Sequence, residues 1–302
     1  MIAVVCHDAG GAEILSSWLR HSAEPFCLVL DGPAINIFKR KLGYCSIITL
    51  SDAVRQSDWI LCGTSWQSNL ERIAIIQAKA EGKKVIAFLD HWINYAERFQ
   101  ENGVSLFPDE IWVGDIDAER IARKLFPVLS IVLKSNPYFR DLQLEFESLP
   151  AGKGYAVNGS VLYVCEPIRE HALLQYGDER YWGYTEEEAL NYFANNLNAL
   201  GCAVSSIKIR PHPSESRRKY DWIKEQFPSL KVEIGGDKTL LEEIAESSVV
   251  VGCESMAMVV ALIAKKRVIS SIPPGGKSCS LPQSEIEHLQ VLIVSDQGTL
   301  HV

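Results

Sequence analysis

A turn in the second half of the chain combines side chains that can bind an anion. The segment 207–213, IKIRPHP, is an apolar strand pattern that ends in Arg210 and His212, and Ser214 follows it. Prolines on both sides of His212 stiffen the turn, because proline fixes its own φ and restricts the preceding residue. A guanidinium can hold two phosphate oxygens at once, and an imidazole can donate a further hydrogen bond. The pattern predicts a phosphate-binding turn, with an incidental polar surface turn as the alternative.

A second segment, 249–266, has the pattern of a buried strand followed by a helix. Glu254, Ser255 and Met256 stand where the helix begins, and the free N–H groups and dipole of a helix start favour an anion. Glu254 can also accept hydrogen bonds from ribose hydroxyls. The alternatives are an ordinary helix cap for Ser255 and helix packing for Met256. Glu166, which follows the first strand of this half, is predicted to contact phosphate or ribose, with an exposed salt-bridged loop as the alternative.

The first strand of the chain also leads into reactive side chains. His7 and Asp8 follow it, and Gly10 and Gly11 come next. The glycines would allow a ligand to approach the backbone closely. Either His7 or Asp8 can act as a general base toward a hydroxyl group. The alternative is that Asp8 caps the next helix after a flexible turn. The spacing of the glycines does not match the dinucleotide-binding pattern G-x-G-x-x-G.

A mixture of acidic, imidazole and aromatic side chains follows the strand pattern 84–89: Asp90, His91, Trp92 and Tyr95. Aromatic faces and hydrogen-bonding groups together suit a sugar, and Asp90 or His91 is a further candidate base. Thr64 and Ser65, after the neighbouring strand pattern, are assigned to the same site. The alternative is that the two aromatic residues pack in the core while Asp90 pairs with Arg98 at the surface.

Apolar runs alternate with helical patterns along the whole chain. The strand patterns are 2–6, 26–30, 46–50, 59–63, 84–89, 110–114, 130–133, 161–165, 206–210, 231–235, 249–252, 267–272 and 291–294. Because the runs are apolar on both faces and separated by helices, they predict parallel sheets covered on both sides. We expect an α/β protein with Rossmann-like domains at 1–135 and 161–302, joined by a linker at 136–160 and facing a central cleft. Thr185 and Glu188 predict a helix-capping box.

Composition excludes several classes of protein. The 302 residues carry a net charge of −8, so no sequence-wide basic field is available for nucleic acid or an anionic membrane. Eight scattered cysteines without a C-x-x-C pair indicate reduced thiols rather than disulfides or zinc, and no structural metal is expected. The N-terminus lacks a basic leader, and no apolar run is long enough to span a membrane, so we expect a cytoplasmic protein.

Three segments resemble the GT-B superfamily, which contains nucleotide-sugar glycosyltransferases and the related UDP-N-acetylglucosamine 2-epimerases and nucleotide-sugar hydrolases. The segment 132–142, VLKSNPYFRDL, is similar to the stretch in which such chains leave their first domain. The segment 210–215, RPHPSE, resembles the His-Pro motif of bacterial sialyl-, polysialyl- and Kdo-transferases. The segment 252–270 is similar to their serine-bearing helix and the next strand. Glu254 replaces a second serine expected of sialyltransferases, which argues against a CMP donor.

The resemblance implies a metal-independent glycosyltransferase in bacterial surface polysaccharide biosynthesis. Domain 161–302 would bind the nucleotide-sugar, and domain 1–135 would bind a glycan or sugar acceptor. The donor is a substrate, so no cofactor is expected, and the sequence leaves open whether the chain forms a homo-oligomer. The alternatives are a nucleotide-sugar hydrolase or epimerase of the same fold and a non-catalytic nucleotide-sugar-binding protein.

Overall fold

The computed structural model describes residues 1–43, 45–65, 68–101, 103–149 and 158–299, with side chains described up to residue 295. The chain divides into two compact units, Met1–Asp141 and Leu142–Val302. Each unit contains a six-stranded parallel sheet, and helices lie between most consecutive strands of that sheet. The chain is therefore an α/β protein with two Rossmann-like domains, as the alternating pattern predicted.

The first unit has the strand order β2-β1-β3-β4-β7-β8 in its main sheet. The strands are β1 (Ile2–Cys6), β2 (Phe26–Leu30), β3 (Trp59–Cys62), β4 (Lys84–Leu89), β5 (Gln100–Glu101), β6 (Val104–Ser105), β7 (Glu110–Val113) and β8 (Ser130–Leu133). The helices are α1 (Ala9–Arg20), α2 (Ala34–Leu42), α3 (Leu50–Gln56), α4 (Leu70–Ala80), α5 (Ile116–Leu125) and α6 (Pro137–Glu147), the last running past the boundary between units. Strands β5 and β6 form a separate antiparallel pair. All five residues of β1 are buried, because helices cover both faces of the sheet.

The second unit repeats this arrangement with the order β11-β10-β9-β12-β13-β14. Its strands are β9 (Ser160–Val164), β10 (Ser206–Arg210), β11 (Val232–Ile234), β12 (Val249–Gly252), β13 (Arg267–Ser270) and β14 (Ile286–His288). Its helices are α7 (Ile168–Tyr176), α8 (Glu186–Asn195), α9 (Trp222–Gln226), α10 (Leu240–Glu246), α11 (Met256–Ile263) and α12 (Leu289–Thr299). The predicted capping box of Thr185 and Glu188 is present at the start of α8, and an unpredicted one joins Thr239 and Glu242 at α10.

Two strand assignments from the sequence need correction. The run 291–294, VLIV, lies in helix α12 rather than in a strand, and the last strand position is taken by β14 beside β13. Four apolar residues fit a buried helix as well as a strand, so periodicity could not decide between them. The run 46–50 makes one isolated bridge, Leu28 to Ile47, instead of a strand. The segment 136–160 contains helix α6, while its residues 150–157 lie outside the described ranges.

The described residues contain neither a membrane-spanning helix nor a cluster of metal-binding side chains. No helix there is long and apolar enough to cross a membrane. Within the same ranges, no group of three or more His, Cys, Asp or Glu residues could hold a metal ion.

Candidate functional site

The strand order of each sheet creates a switch point at its centre. In the first unit the chain leaves β1 toward β2 on one side and returns to β3 on the other. In the second unit β9 is flanked in the same way by β10 and β12. The loops at the carboxyl ends diverge at such a point, and open α/β sheets bind their ligands there. The candidate residues after β1, β3, β9 and β12 therefore lie at two such edges.

At the edge of the first unit, Asp8 contacts the residue before it, His7, and a residue that follows β3, Ser65. Its Oδ1 lies 2.7 Å from Nδ1 of His7 and accepts a 2.7 Å hydrogen bond from the hydroxyl of Ser65. Asp8 occupies the N-cap position of α1, yet its side chain makes no capping hydrogen bond. The structure therefore favours a role for this carboxylate other than capping. His7 and Asp8 are only partly exposed, with side-chain exposures of 17% and 19%.

The buried carboxylate of Glu71 supports the turn that carries His7 and Asp8. Oε1 of Glu71, in the first turn of α4, accepts a 2.7 Å hydrogen bond from the backbone N–H of His7. Glu71 is 3% exposed, and its buried Oε2 has no hydrogen-bond partner among the described residues. Burial raises the pKa of Glu71 to about 7, although the bond from His7 acts in the opposite direction.

Asp90 belongs to a buried ion pair rather than to a surface pair. Its Oδ1 is 2.6 Å from Nη1 of Arg98, which also donates to the hydroxyl of Thr64 at 2.7 Å and to the Thr64 carbonyl at 3.1 Å. Arg98 is 6% exposed and the Asp90 side chain 10%. The pair thus links the ends of β3 and β4. Oδ2 of Asp90 points toward Gly10 on α1.

The aromatic residues after β4, Trp92 and Tyr95, are buried, as the packing alternative predicted, and each carries a polar group. Trp92 donates from its indole to both carboxylate oxygens of Asp115, at 3.1 and 3.0 Å. Tyr95 is 1% exposed, and none of the described residues hydrogen-bonds to its buried hydroxyl. Burial raises the pKa of Tyr95. His91 is partly buried, and its Nδ1 accepts from the backbone N–H of Trp92 at 2.9 Å.

Gly10 and Gly11 lie in the first turn of α1, not in a loop as the sequence suggested. A Cβ on Gly11 would lie 3.3 Å from the sulfur of Cys6 and 3.4 Å from the Cα of Gly63. The glycines thus allow α1 to begin directly against the strand ends. Gly10 itself is exposed, which leaves its backbone accessible to a ligand.

In the second unit, Glu166 joins the two strands of the switch point. It follows β9, and its Oε2 accepts a 2.8 Å hydrogen bond from the backbone N–H of Glu254, which follows β12. Burial raises the pKa of Glu166 to about 7, and the nearby carboxylate of Glu254 adds to this effect. The carboxylate of Glu254 pairs with the ammonium of Lys277 and accepts hydrogen bonds from the backbone and hydroxyl of Ser280, at 3.0 and 2.8 Å.

The start of α11 is formed as predicted, with Ser255 as its N-cap. The hydroxyl of Ser255 accepts a 3.2 Å hydrogen bond from the backbone N–H of Ala257. Ser255 and Met256 are both partly exposed at this helix start. The cap is the ordinary role for serine at this position and leaves other N–H groups of the first turn for a ligand.

Arg210 is held inside the second unit. Its Nη1 donates to Oε2 of Glu243 at 2.5 Å and to the carbonyl of Lys238 at 3.0 Å, and Glu243 is only 2% exposed. A guanidinium has five N–H donors, so further bonds remain available. Its positive charge is nevertheless shared with a buried carboxylate. Phosphate binding by Arg210 stays a prediction.

His212 lies in a small polar group with its own neighbours. Its Nδ1 is 2.8 Å from the hydroxyl of Ser214, and its backbone N–H donates to Oε2 of Glu215 at 2.9 Å. Its ring is 6.5 Å from that of His171. Burial lowers the pKa of His212, and Glu215 opposes this effect. Within the described part of the chain, no hydrogen bond or ion pair joins Arg210 or His212 to the β12 loop.

Known structures share this architecture across both units. UDP-GlcNAc 2-epimerase from Neisseria meningitidis bound to UDP-GlcNAc has a TM-score of 0.63 and 10% identity, over 99% of this chain and 91% of that one. The S. aureus MnaA–UDP co-structure has a TM-score of 0.61 and 9% identity, over 100% and 88%. UDP-GlcNAc 2-epimerase from Methanocaldococcus jannaschii has a TM-score of 0.55 and 12% identity, over 89% and 83%. The chain has the GT-B fold. No protein-family model and no curated protein matches its sequence.

Within this GT-B fold, several residues at the two edges were missed or undervalued by sequence reasoning. They are Glu71, Arg98, Glu243, Lys277 and Ser280. Glu71 lies in a helical pattern where a surface carboxylate is the ordinary expectation. Lys277 forms an ion pair with Glu254. The one available signal was position, since Lys277 follows β13 and Arg98 follows β4, each at a carboxyl edge.

Proposed function

We propose that the protein is an enzyme that acts on a nucleotide-activated sugar, with the nucleotide bound at the carboxyl edge of β9 and β12. The main support is the switch point itself, where Glu166 connects the loop after β9 to the start of α11 through the N–H of Glu254. Three solved structures with the same fold support this choice of ligand, because one is a complex with UDP, one is bound to UDP-GlcNAc and one is a UDP-GlcNAc 2-epimerase.

The donor phosphates would meet the helix start and the charged side chains beside it. The N–H groups of the first turn of α11 attract an anion, and Lys277 carries a positive charge next to Glu254. His212 would donate a hydrogen bond to the departing phosphate, and Arg210 would contribute the donors that Glu243 leaves available. Prearranged donors of this kind stabilise the charge that develops as the phosphate leaves, without a divalent metal ion.

We assign the chemistry first to glycosyl transfer in bacterial surface polysaccharide biosynthesis. Asp8, oriented by His7 and Ser65, would take the proton from an acceptor hydroxyl. The acceptor oxygen would then bond to the anomeric carbon, while the bond from that carbon to the phosphate oxygen breaks and the nucleoside diphosphate leaves with the electron pair. Asp90 and His91 are the other candidate bases at this edge.

The second candidate is hydrolysis or epimerisation of the nucleotide-sugar. It is supported by the similar structures from Neisseria meningitidis and Methanocaldococcus jannaschii, which are both UDP-GlcNAc 2-epimerases. In this case His7 or His91 would activate water or move a proton on the sugar. Product analysis separates the candidates, because transfer requires an acceptor, hydrolysis releases sugar without one, and epimerisation returns an isomeric nucleotide-sugar. Binding without turnover would indicate a non-catalytic nucleotide-sugar-binding protein.

The nucleotide site is tested by thermal unfolding with CMP, CDP, UDP and GDP in parallel. A ligand at a hundred times its Kd adds about 2.7 kcal/mol to the free energy of unfolding, so the matching nucleotide should raise Tm by several degrees. His212→Ala should greatly reduce this rise. His288→Ala is the matched control, since His288 is an exposed histidine at the end of the edge strand β14. If none of the four nucleotides raises Tm, or if His212→Ala responds like the parent, the donor site is misassigned.

A further inference from the structure

Glu71 is a buried carboxylate that the proposed chemistry does not use. Glu71 is the second residue of α4. Its side chain extends to the end of β1, where Oε1 accepts a 2.7 Å hydrogen bond from the N–H of His7. Its other oxygen, Oε2, is buried and has no hydrogen-bond partner in the described part of the chain. A buried carboxylate with an unpaired oxygen is costly, so its retention calls for an explanation.

Titratable groups surround Glu71 on the elements packed against it. The thiols of Cys6 on β1 and Cys62 on β3 lie close enough for Glu71 to raise their pKa values. In the loop after β1, Asp8 raises the pKa of Glu71 and His7 lowers it, while burial is the largest cause of its shift to about 7. Glu71 contacts the turn after β1, and its charge changes near pH 7.

We infer that Glu71 is a positioning residue, which holds the turn carrying His7 and Asp8 in place through the N–H of His7. The inference rests on the proposed function, in which Asp8 is the base. His7 directly precedes Asp8 in the chain, so fixing the N–H of His7 restricts the backbone from which the Asp8 carboxylate reaches Ser65. Without Glu71, the partly buried N–H would lose its partner and the turn would reorganise.

The protonation state of Glu71 should modulate this support. A carboxylate accepts a stronger hydrogen bond than a neutral carboxyl group, so the bond to His7 strengthens as the pH rises through about 7. The negative charge of Asp8 opposes deprotonation of Glu71, which couples the two groups. The N–H of His7 therefore reports on the charge of Glu71.

This N–H can be observed selectively. Cys6–His7 is the one Cys–His dipeptide in the sequence, so carbonyl-¹³C cysteine combined with ¹⁵N histidine isolates the His7 amide by NMR. We expect its chemical shift to titrate with a component centred near pH 7 that is lost in Glu71→Gln, which keeps the shape and an acceptor oxygen. In Glu71→Ala we expect the amide to exchange with solvent about tenfold faster or more, because the hydrogen bond is removed. Glu13→Gln, on α1, is the control and should preserve both properties.

The inference is wrong if Glu71→Gln titrates like the parent, or if exchange in Glu71→Ala is unchanged. Neither readout needs substrate, so a protein that binds no nucleotide would overturn the proposed function without affecting this result. If turnover is found, Glu71→Gln should lower kcat and change its pH profile near 7 while KM stays within about twofold, because Glu71 does not touch the substrate. A change in KM alone would contradict a positioning role.

Discussion

At the scale of single residues, both candidate sites use a carboxylate, buried for Glu71 and partly exposed for Glu166, to hold a backbone N–H across a switch point. Glu71 holds His7 in the first unit, and Glu166 holds Glu254 in the second. In each case the carboxylate belongs to one side of the switch point and the amide to the other. Burial raises the pKa of both carboxyl groups to about 7. At each site, desolvation of the carboxylate therefore lowers the stability of the fold, while its hydrogen bond fixes the geometry of a loop.

The cost at Glu166 should depend on pH. The carboxyl group has a pKa near 4.5 when unfolded and about 7 when folded, so the folded state keeps the proton to higher pH. Its contribution to the free energy of unfolding is therefore fully present below 4.5 and is lost as the pH rises to about 7. Relative to Glu166→Gln, we expect the parent to lose up to about 3 kcal/mol over this range, measured by urea unfolding.

A matched control for this titration is Glu233→Gln. Glu233 is exposed on β11 and makes only a 3.8 Å contact with Lys231. Its replacement should leave the pH dependence of the parent unchanged. A constant difference between the parent and Glu166→Gln across pH 4.5–7 would show that Glu166 does not keep its proton in the folded state.

At the scale of elements, the start of α1 is seated on the end of β4 through Gly10. A Cβ at Gly10 would lie 1.9 Å from Oδ2 of Asp90. Asp90 cannot move away freely, because its other oxygen is held by Arg98. The glycine therefore determines how closely the helix approaches the candidate base. The position of α1 and the orientation of Asp90 are coupled.

This coupling predicts different effects for two neighbouring substitutions. Gly10→Ala should lower the free energy of unfolding by about 1–3 kcal/mol, because Asp90 or the helix must shift. Gly11→Ala meets its nearest neighbour, the sulfur of Cys6, at 3.3 Å, and alanine favours a helix, so its net effect should stay within about 1 kcal/mol. Denaturant unfolding measures both. Equal stability of the two variants would contradict the close contact at Gly10.

At the scale of the whole molecule, the two units share a set of lysine-to-carbonyl hydrogen bonds as well as the same type of sheet. Lys83 donates to the carbonyls of Arg55 and Ser57 at the end of α3. Lys266 donates to the carbonyls of Ala245 and Ser247 at the end of α10, at 2.9 and 2.8 Å. Each lysine immediately precedes a strand, β4 for Lys83 and β13 for Lys266. The same type of hydrogen bond thus satisfies carbonyl groups at the C-terminal ends of α3 and α10.

Because each unit has its own apolar core, these lysines should act on separate unfolding steps. Lys83→Met and Lys266→Met should each lower stability by roughly 1.5–3 kcal/mol, since charge-assisted hydrogen bonds to carbonyls are lost. We expect calorimetry to resolve two transitions, with each substitution lowering a different one. If both substitutions lowered the same transition, the units would not unfold separately.

Much of the fold could be predicted because its signals are local. Apolar runs correctly gave β1, β2, β4, β8, β10 and β12 to the residue, and the polar residues after them mark the carboxyl edges. The same logic identified His7, Asp8, Glu166 and Glu254 as residues at strand ends. It failed for 291–294, where a short apolar run fits either type of element.

The sequence by itself determined the parallel α/β class, the two-unit repeat and the polar residues that end the strands. These follow from the period and length of apolar runs, which depend on neighbouring residues alone. Only the tertiary structure decided that β1 lies beside β3 and β9 beside β12, that Glu71 lies beneath His7, and that Arg210 is paired with Glu243. Such pairings join residues tens of positions apart. They are set by how buried polar groups find partners when the layers pack, which no local pattern specifies.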